Sequence, residues 1–395
     1  MKTTAGKNQE SAHSSHDMLY LDNAATSHPK PSQTLRFFNH FIRSVGGNPG
    51  RGGHPASVEA ARIIFEARER LTSFVNGIDS ERMIFTRNGT ESLNLAILGL
   101  IRESDHVITT SMEHNSVMRP ITFLQNEKKV TVSAAQCSAR DGTLDPMRIK
   151  ALLRNNTRAV IINHGSNVSG TVQNLKEIKS VIRDALLIVD ACQTIGSIPI
   201  DIERDQIDVL CFSCHKSLYA LQGVGAIYIR KGVDPRPLQF GGTGSNSESL
   251  EHPAFLPDRY ESGTPNTPGI ASLLGGLTLI EKIGMERIMK KERSLIHLLV
   301  TGLRNIDGIV VYGHYEKGPA VPVVSFNVTG KLPSEVSYGL SRRGICVRAG
   351  LHCAPQAHKT IGTFPHGSVR VSPGYFTNRR DIITFLEAVE NIVRQ

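Results

Sequence analysis

Short apolar runs alternate with amphipathic stretches along most of this chain, and that alternation predicts the fold class. Residues 83–86, 107–110, 131–132, 159–162, 186–189, 209–212 and 226–229 are short runs rich in β-branched and aromatic residues. Several are apolar throughout, as strands covered by helices on both faces must be. Between residues 57 and 75, Val58, Ala61, Ile64, Phe65, Leu71 and Phe74 recur near helical spacing, with Glu59, Arg62, Glu66, Arg68, Glu69 and Arg70 among them. This is an amphipathic helix that stops at Asn76-Gly77. Further helices are expected at 37–45 and 92–100. Strands alternating with helices predict a mainly parallel α/β sheet, with ligands at the carboxyl ends of its strands.

The texture changes after about residue 270. Helices are expected at 269–283, 285–303 and 380–393, with strands at 309–311, 323–326, 345–347 and 369–371, which is an α+β arrangement. A chain of 395 residues exceeds what one hydrophobic core usually serves. The expected organisation is therefore a polar, disordered tail over 1–17, a large α/β domain over 18–270 and a smaller α+β domain over 271–395.

Composition narrows the function. The net charge is +9, but the basic residues are scattered, tryptophan is absent and aromatics make up 6% of the chain. That excludes the clustered basic stripe of a nucleic-acid binder and favours acidic small ligands. Residues 1–17 lack the apolar core of a secretory signal, and no run approaches the ~20 apolar residues of a membrane span. A cytoplasmic protein with no membrane partner is expected. Its six cysteines lie far apart and should remain thiols. Cys211-x-x-Cys214 has redox or zinc spacing but sits in a strand-like run without a second pair, so buried thiols are expected and no metal site.

The candidate chemistry centres on Ser213-x-His215-Lys216, which lies between two apolar runs just before Gly223-Val224-Gly225. A lysine at such a junction is either a plain surface residue or the amine that holds a carbonyl cofactor such as pyridoxal phosphate as a Schiff base. Asn88-Gly89-Thr90 joins a strand to a helix and offers either an anion site or a simple cap. Asp190, at the end of a buried strand, could partner a pyridinium N–H or cap the next helix. His114 could lie over a flat ring or begin a surface helix. The Gly/Pro-rich loop at 48–55, which holds His54, has the character of a ligand loop. Cys353, flanked by Arg348, Gly350 and His352, has the setting of a reactive thiol. Arg370 lies alone among small and apolar residues, so it needs either a substrate carboxylate or an internal Asp or Glu.

Taken together, Tyr20-Leu21-Asp22-Asn23-Ala24-Ala25, Glu113-His114-Asn115-Ser116, Val189-Asp190-Ala191-Cys192-Gln193, Ser213-x-His215-Lys216, Glu261-Ser262-Gly263-Thr264-Pro265-Asn266 and Arg348-Ala349-Gly350-Leu351-His352-Cys353-Ala354 resemble the class V aminotransferase group of pyridoxal-phosphate enzymes. The resemblance is to its cysteine desulfurase and selenocysteine lyase branch, and it runs from Tyr20 to Ser372. It implies a fold type I pyridoxal-phosphate transferase with a seven-stranded-type sheet. It further implies that Lys216 holds the cofactor, Asp190 pairs with the pyridine nitrogen, Gln193 contacts the ring hydroxyl and His114 stacks on the ring. Gly89, Thr90, Ser213 and His215 would hold the phosphate, and Gly263 and Thr264 would reach the phosphate of the other subunit of a homodimer. Asn167 and Arg370 would bind the substrate carboxylate, with His54 and Arg348 lining the pocket.

The form around Cys353 is similar to the second desulfurase group, whose cysteine lies on a short ordered loop. The implied activity converts L-cysteine to L-alanine and leaves a persulfide on Cys353 for an acceptor protein. Selenocysteine lyase, or another enzyme of the same fold, is the alternative; a cofactor-free scaffold is the reading from outside enzymology. The chain departs from the family at Cys214, at Ala220-Leu221-Gln222, and at Leu351, where a second histidine is frequent.

Overall fold

The computed structural model describes residues 18–50, 52–313, 315 and 318–395, so the polar tail 1–17 lies outside the described residues. The chain begins with strand β1 (Leu19–Tyr20) and helix α1 (Ser32–His40), which runs into a wide π-helical turn at Phe41–Val45 and is followed by α2 (Pro55–Phe74). Strands and helices then alternate as β2 (Met83–Thr86), α3 (Gly89–Leu100), β3 (His106–Thr110), α4 (Asn115–Lys128), β4 (Thr131–Ala135), α5 (Pro146–Leu152) and β5 (Thr157–Asn163). They continue with α6 (Leu175–Val181), β6 (Leu186–Asp190), β7 (Val209–Ser213) and β8 (Gly225–Ile229).

These seven strands form one sheet in the order β2-β8-β7-β6-β5-β3-β4. Within it β8 runs antiparallel to both its neighbours, while the pairs among β3 to β7 are parallel. Alternate residues explain why the central strands are largely apolar. Val160, Ile162, Leu187, Val189, Leu210 and Phe212 face one core with α2 and α7 (Thr267–Ile283). Ala159, Ile161, Ile188, Val209, Cys211 and Ile227 face the other, with α3 and α4. Cys211 and Cys214 are free, fully buried and on opposite cores, so their spacing is incidental.

The rest of the chain comprises α8 (Met285–Arg304), β9 (Ile309–Tyr312), β10 (Val324–Val328), α9 (Pro333–Ser341), β11 (Ile345–Cys346), β12 (Arg348–Gly350), α10 (Pro355–Thr360), β13 (Ser368–Val371) and α11 (Arg379–Val393). Four of its strands form an antiparallel sheet in the order β12-β13-β10-β9. The strand expected at 345–347 is shorter, with Ile345 and Cys346 pairing with β1, and a further strand that was not expected, Arg348 to Gly350, pairs with β13. Residues near the N-terminus thus complete the C-terminal layer, and Leu21 joins its core.

Two features hold the elements around the large sheet together. A Cβ at Gly276 would fall 1.9 Å from the Leu218 carbonyl oxygen, so glycine in α7 lets that helix lie directly against the loop. Arg68 of α2 forms two bonds to Glu261, of 2.7 and 2.8 Å, and Glu261 also accepts the Phe85 N–H at 2.6 Å. Glu261→Ala leaves the buried Arg68 charge unpaired, which costs about 3–5 kcal/mol. A correspondingly lower urea midpoint is the expected outcome.

Candidate active site

Lys216 follows the end of β7, in a loop closed by the Cys214 N–H on the Val224 carbonyl. The carbonyl between His215 and Lys216 is gripped by a segment from the start of the chain. It accepts from the Ser27 N–H (3.2 Å), Thr26 Oγ1 (3.2 Å), Ser27 Oγ (3.2 Å) and Lys30 Nζ (2.8 Å). That peptide links His215 to Lys216, so holding it sets where both side chains leave the backbone. Asp190 ends the neighbouring strand β6, and Gln193 anchors the same N-terminal segment by donating to the Ala24 carbonyl at 3.0 Å.

A cavity of about 410 Å³ lies over these carboxyl ends. The large sheet and its loops contribute Thr90, His114, Asn167, Asp190, Gln193, Ser213, His215 and Lys216 to its wall, and the C-terminal layer contributes Arg348, His352, Cys353 and Arg370. Residues far apart in sequence therefore converge as expected. Gly89 lies immediately behind: its N–H donates to Ser213 Oγ at 2.8 Å, and a Cβ there would fall 2.3 Å from Cys192 Sγ.

Other expected residues lie elsewhere. His54 caps α2, its ring accepting from the Ser57 N–H, and is not on the cavity wall. Its loop turns toward the helix start that Pro55 begins. Gly263 and Thr264 line a separate cavity of about 680 Å³, which shares only Asn88 and Thr90 with the first. Within one chain they do not reach the space beside Lys216.

Desolvation sets the protonation states. Burial pushes His215 down to about 4, assisted by Lys216 and Lys30, and His352 down to about 2, assisted by Arg370. Burial likewise lowers His114, whose Nδ1 accepts the Ser116 N–H at 3.0 Å. These imidazoles are neutral at pH 7. Burial raises Glu113 to about 8, and this protonated carboxyl accepts from Thr110 Oγ1 and the Asn163 N–H, tying the end of β3 to that of β5.

Two arginines face each other across β12 and β13, since Arg348 and Arg370 are direct cross-strand partners. Like charges in that register repel. Asp22 resolves the conflict: Oδ1 accepts Arg370 Nη2 at 2.8 Å, and Oδ2 accepts Arg348 Nε and Nη2 at 3.0 and 2.9 Å. The internal salt bridge expected as one of two options for Arg370 therefore exists, while Arg370 Nε remains buried without a partner. Asp22 was not recognised from sequence as a site residue. The available signal was a lone acid after the apolar Leu21, facing an arginine that needed an anion.

Cys353 is exposed on a tight turn, where His352 (φ 49) and Cys353 (φ 56) both adopt the left-handed conformation. Such residues cost of order 1–3 kcal/mol each and persist where the surroundings hold them. Here Asn167 Nδ2 donates to the His352 carbonyl (2.7 Å), and the Asn115 N–H donates to that of Cys353 (2.8 Å). Cys192 also lines the cavity, but burial pushes its thiol well up, leaving it protonated.

The profile of the family described as aminotransferase class V matches residues 19–385. The chain belongs to the class V aminotransferase family. It is 33% identical over 386 residues to a probable cysteine desulfurase of Methanothermobacter thermautotrophicus, with 95% of each chain covered. It is 32% identical to a probable cysteine desulfurase of Pyrococcus abyssi, covering 96% of this chain and 95% of the other. Among solved structures, the cysteine desulfurase of Thermococcus onnurineus NA1 superposes with a TM-score of 0.89 at 30% identity, covering 95% of each chain.

Members of this family are pyridoxal-phosphate enzymes, and the residues present fit that cofactor. His215 Nδ1 is a buried atom without a partner, and the Gly89 to Ser213 cradle tolerates no side chain at residue 89. Asp190 is 4% exposed and no cation among the described residues pairs with it.

Two outcomes are expected. Gly89→Ala weakens pyridoxal phosphate binding by about tenfold or more, the equivalent of ~1.4 kcal/mol, as read by equilibrium dialysis. Glu113→Gln removes a group that binds a proton more tightly when folded. Its stabilisation is complete below its ordinary value of 4.5 and is lost as pH rises through about 8. The variant therefore shows a shallower decline in thermal stability across that interval.

Proposed function

We propose that this protein is a pyridoxal-phosphate-dependent cysteine desulfurase that converts L-cysteine to L-alanine and carries the sulfur away as a persulfide on Cys353. The observation that supports this most directly is an exposed cysteine, held on a left-handed turn, at the wall of the cavity that contains Lys216. Neither transamination nor racemisation needs a thiol there.

The cofactor supplies an electron sink for carbon–hydrogen and carbon–sulfur chemistry beside its carbonyl carbon. Lys216 would hold that carbonyl, Asp190 the pyridine nitrogen and Gln193 the ring hydroxyl, with Gly89, Thr90, Ser213 and His215 at the phosphate and neutral His114 against the ring. Arg370 Nε, aided by Asn167 and Arg348, would take the substrate carboxylate. Once displaced, Lys216 Nζ takes the Cα proton as general base and returns protons as the reaction proceeds. The Cys353 thiolate attacks the substrate sulfur, so that a new S–S bond forms while the Cβ–S bond breaks. The electron pair left on Cβ takes up a proton, giving the methyl group of alanine. An acceptor protein with a nucleophilic thiol would then remove the outer sulfur.

The separate cavity beside Gly263 and Thr264, sharing Asn88 and Thr90 with the first, supports a homodimer in which that segment of a second copy completes the phosphate end. Exposed Phe240, Leu250 and Phe255 nearby suit such an interface. We also read 18–270 as the cofactor-binding domain and 271–395 as the domain that carries the cysteine. The free cysteines suit a reducing, cytoplasmic setting, and no helix among the described residues is long and apolar enough to cross a membrane.

With L-cysteine and a reductant, the holoenzyme is expected to release equal amounts of alanine and sulfide. Cys353→Ala lowers that rate by about 10³ or more, as expected when a nucleophile is lost. A wild-type rate on selenocysteine far above that on cysteine identifies the protein as a selenocysteine lyase instead.

A further inference from the structure

One buried carboxyl beside the lysine loop takes no part in the proposed reaction. Glu292 of α8 is 5% exposed, and its Oε2 lies 3.2 Å from Ser197 Oγ, which in turn lies 2.9 Å from Oγ of Ser217, the residue after Lys216. The segment that carries Ser197 packs directly on this loop, since a Cβ at Gly196 would fall 2.5 Å from the Ser217 carbonyl oxygen. A small cavity of about 20 Å³ has Lys216, Ser217, Tyr219 and Glu292 on its wall, and no other carboxylate among the described residues lines it.

Hydrogen accounting gives this chain of groups a direction. Ser197 has a single hydroxyl hydrogen and cannot donate to both neighbours. Burial raises the Glu292 carboxyl to about 8, against the opposing pull of Ser197 and Lys291, so at neutral pH it keeps its proton and donates to Ser197, which donates to Ser217. That arrangement is present below the ordinary value of 4.5 and is lost as pH rises through about 8. An ionised carboxyl can only accept, so Ser197 and then Ser217 must turn their hydrogens back toward α8. The titratable groups around Glu292 are Lys291 on the same helix, whose Nζ lies 4.7 Å from the centre of the Tyr375 ring, and Lys216 and Tyr219 on the loop. Tyr219 is itself pushed up by burial and by Glu292.

We propose that Glu292 is a positioning residue for Lys216: as the donor at the head of this chain it holds the loop that carries the lysine, and pyridoxal phosphate is bound less tightly once the donor is lost. The side chain acts through Ser197 and Ser217 and touches no reacting atom. This inference rests on Lys216 as the residue that holds the cofactor, but on neither the substrate nor the sulfur step.

The test is equilibrium dialysis of the holoenzyme against pyridoxal phosphate at pH 7 and pH 9, for the wild type, Glu292→Gln and Glu292→Leu. The glutamine amide donates at either pH, so that variant is expected to match the wild type at pH 7 and to bind about fivefold more tightly than it at pH 9, the scale of one hydrogen bond. Leucine cannot donate, and its variant is expected to bind about fivefold more weakly than the glutamine variant at both. Lys30, whose amine burial lowers to about 8, titrates in all three proteins and cancels in the ratios. A purely structural role would lower the thermal midpoint of the leucine variant and leave the ratio of wild type to glutamine variant flat. If circular dichroism shows that the glutamine variant does not fold, Ser197→Ala replaces it: lacking the middle of the chain, it is expected to bind about fivefold more weakly than the wild type at pH 7 and equally at pH 9. The proposal is overturned if the compared ratio is the same at both pH values, or if the leucine variant binds as tightly as the glutamine variant. Borohydride reduction followed by peptide mass spectrometry locates the lysine that holds the cofactor. Cofactor on Lys216 with a flat ratio refutes the role of Glu292 alone, whereas cofactor on another residue refutes the assignment of Lys216 and the proposal with it.

Discussion

Two arginines stand opposite one another on neighbouring antiparallel strands, and much of the architecture around the cavity can be traced to how that repulsion is met. Arg348 and Arg370 can occupy adjacent positions only with an anion between them, because neither can lose its charge. Asp22 supplies it from a segment whose position depends on β1 pairing with β11 and Leu21 packing in the C-terminal core. The chain that delivers Asp22 continues directly to Ala24, which accepts from Gln193, and to Thr26, Ser27 and Lys30, which hold the His215 carbonyl. One short stretch therefore links the arginine pair to the lysine loop, coupling the two ends of the cavity.

Desolvation shapes the rest of the site. The imidazoles of His114, His215 and His352 are held neutral by burial, so few formal charges remain in the cavity, and Glu113, off the cavity wall, is held protonated. Each remaining charge counts for more in such surroundings than it would in water. The two thiols on the wall show the same logic. Cys192 lies half-buried against Ser213 and is kept protonated, whereas Cys353 is lifted into solvent by a turn that two hydrogen bonds hold in an unfavourable conformation.

Much of the fold was legible because burial on both faces leaves a strong trace. All seven runs of the large sheet emerged as strands, the central ones because a helix-covered strand must be apolar along its length, although the edge strand β4 is partly exposed. The single strand expected at 345–347 was less legible. Only Ile345 and Cys346 form it, against β1, and the next strand, Arg348 to Gly350, was not expected because an Arg-Ala-Gly run has no apolar signal. His54 was expected in the pocket because a Gly/Pro-rich loop resembles a ligand loop, but local helix capping took its ring.

The local sequence by itself determined the chemistry on offer: a lysine between two buried strands, an acid at a strand end, and an arginine among apolar residues that required an anion. These follow from short-range rules, because a strand's burial and a helix cap depend on neighbours within a few residues. Only the tertiary structure decided how those groups combine. Asp22 meets Arg370 across 348 residues of chain, and Asn167 meets His352 across 185. Such pairings are selected by the cost of leaving a buried charge or an open carbonyl unpaired, and that cost exists only once folding has removed the water.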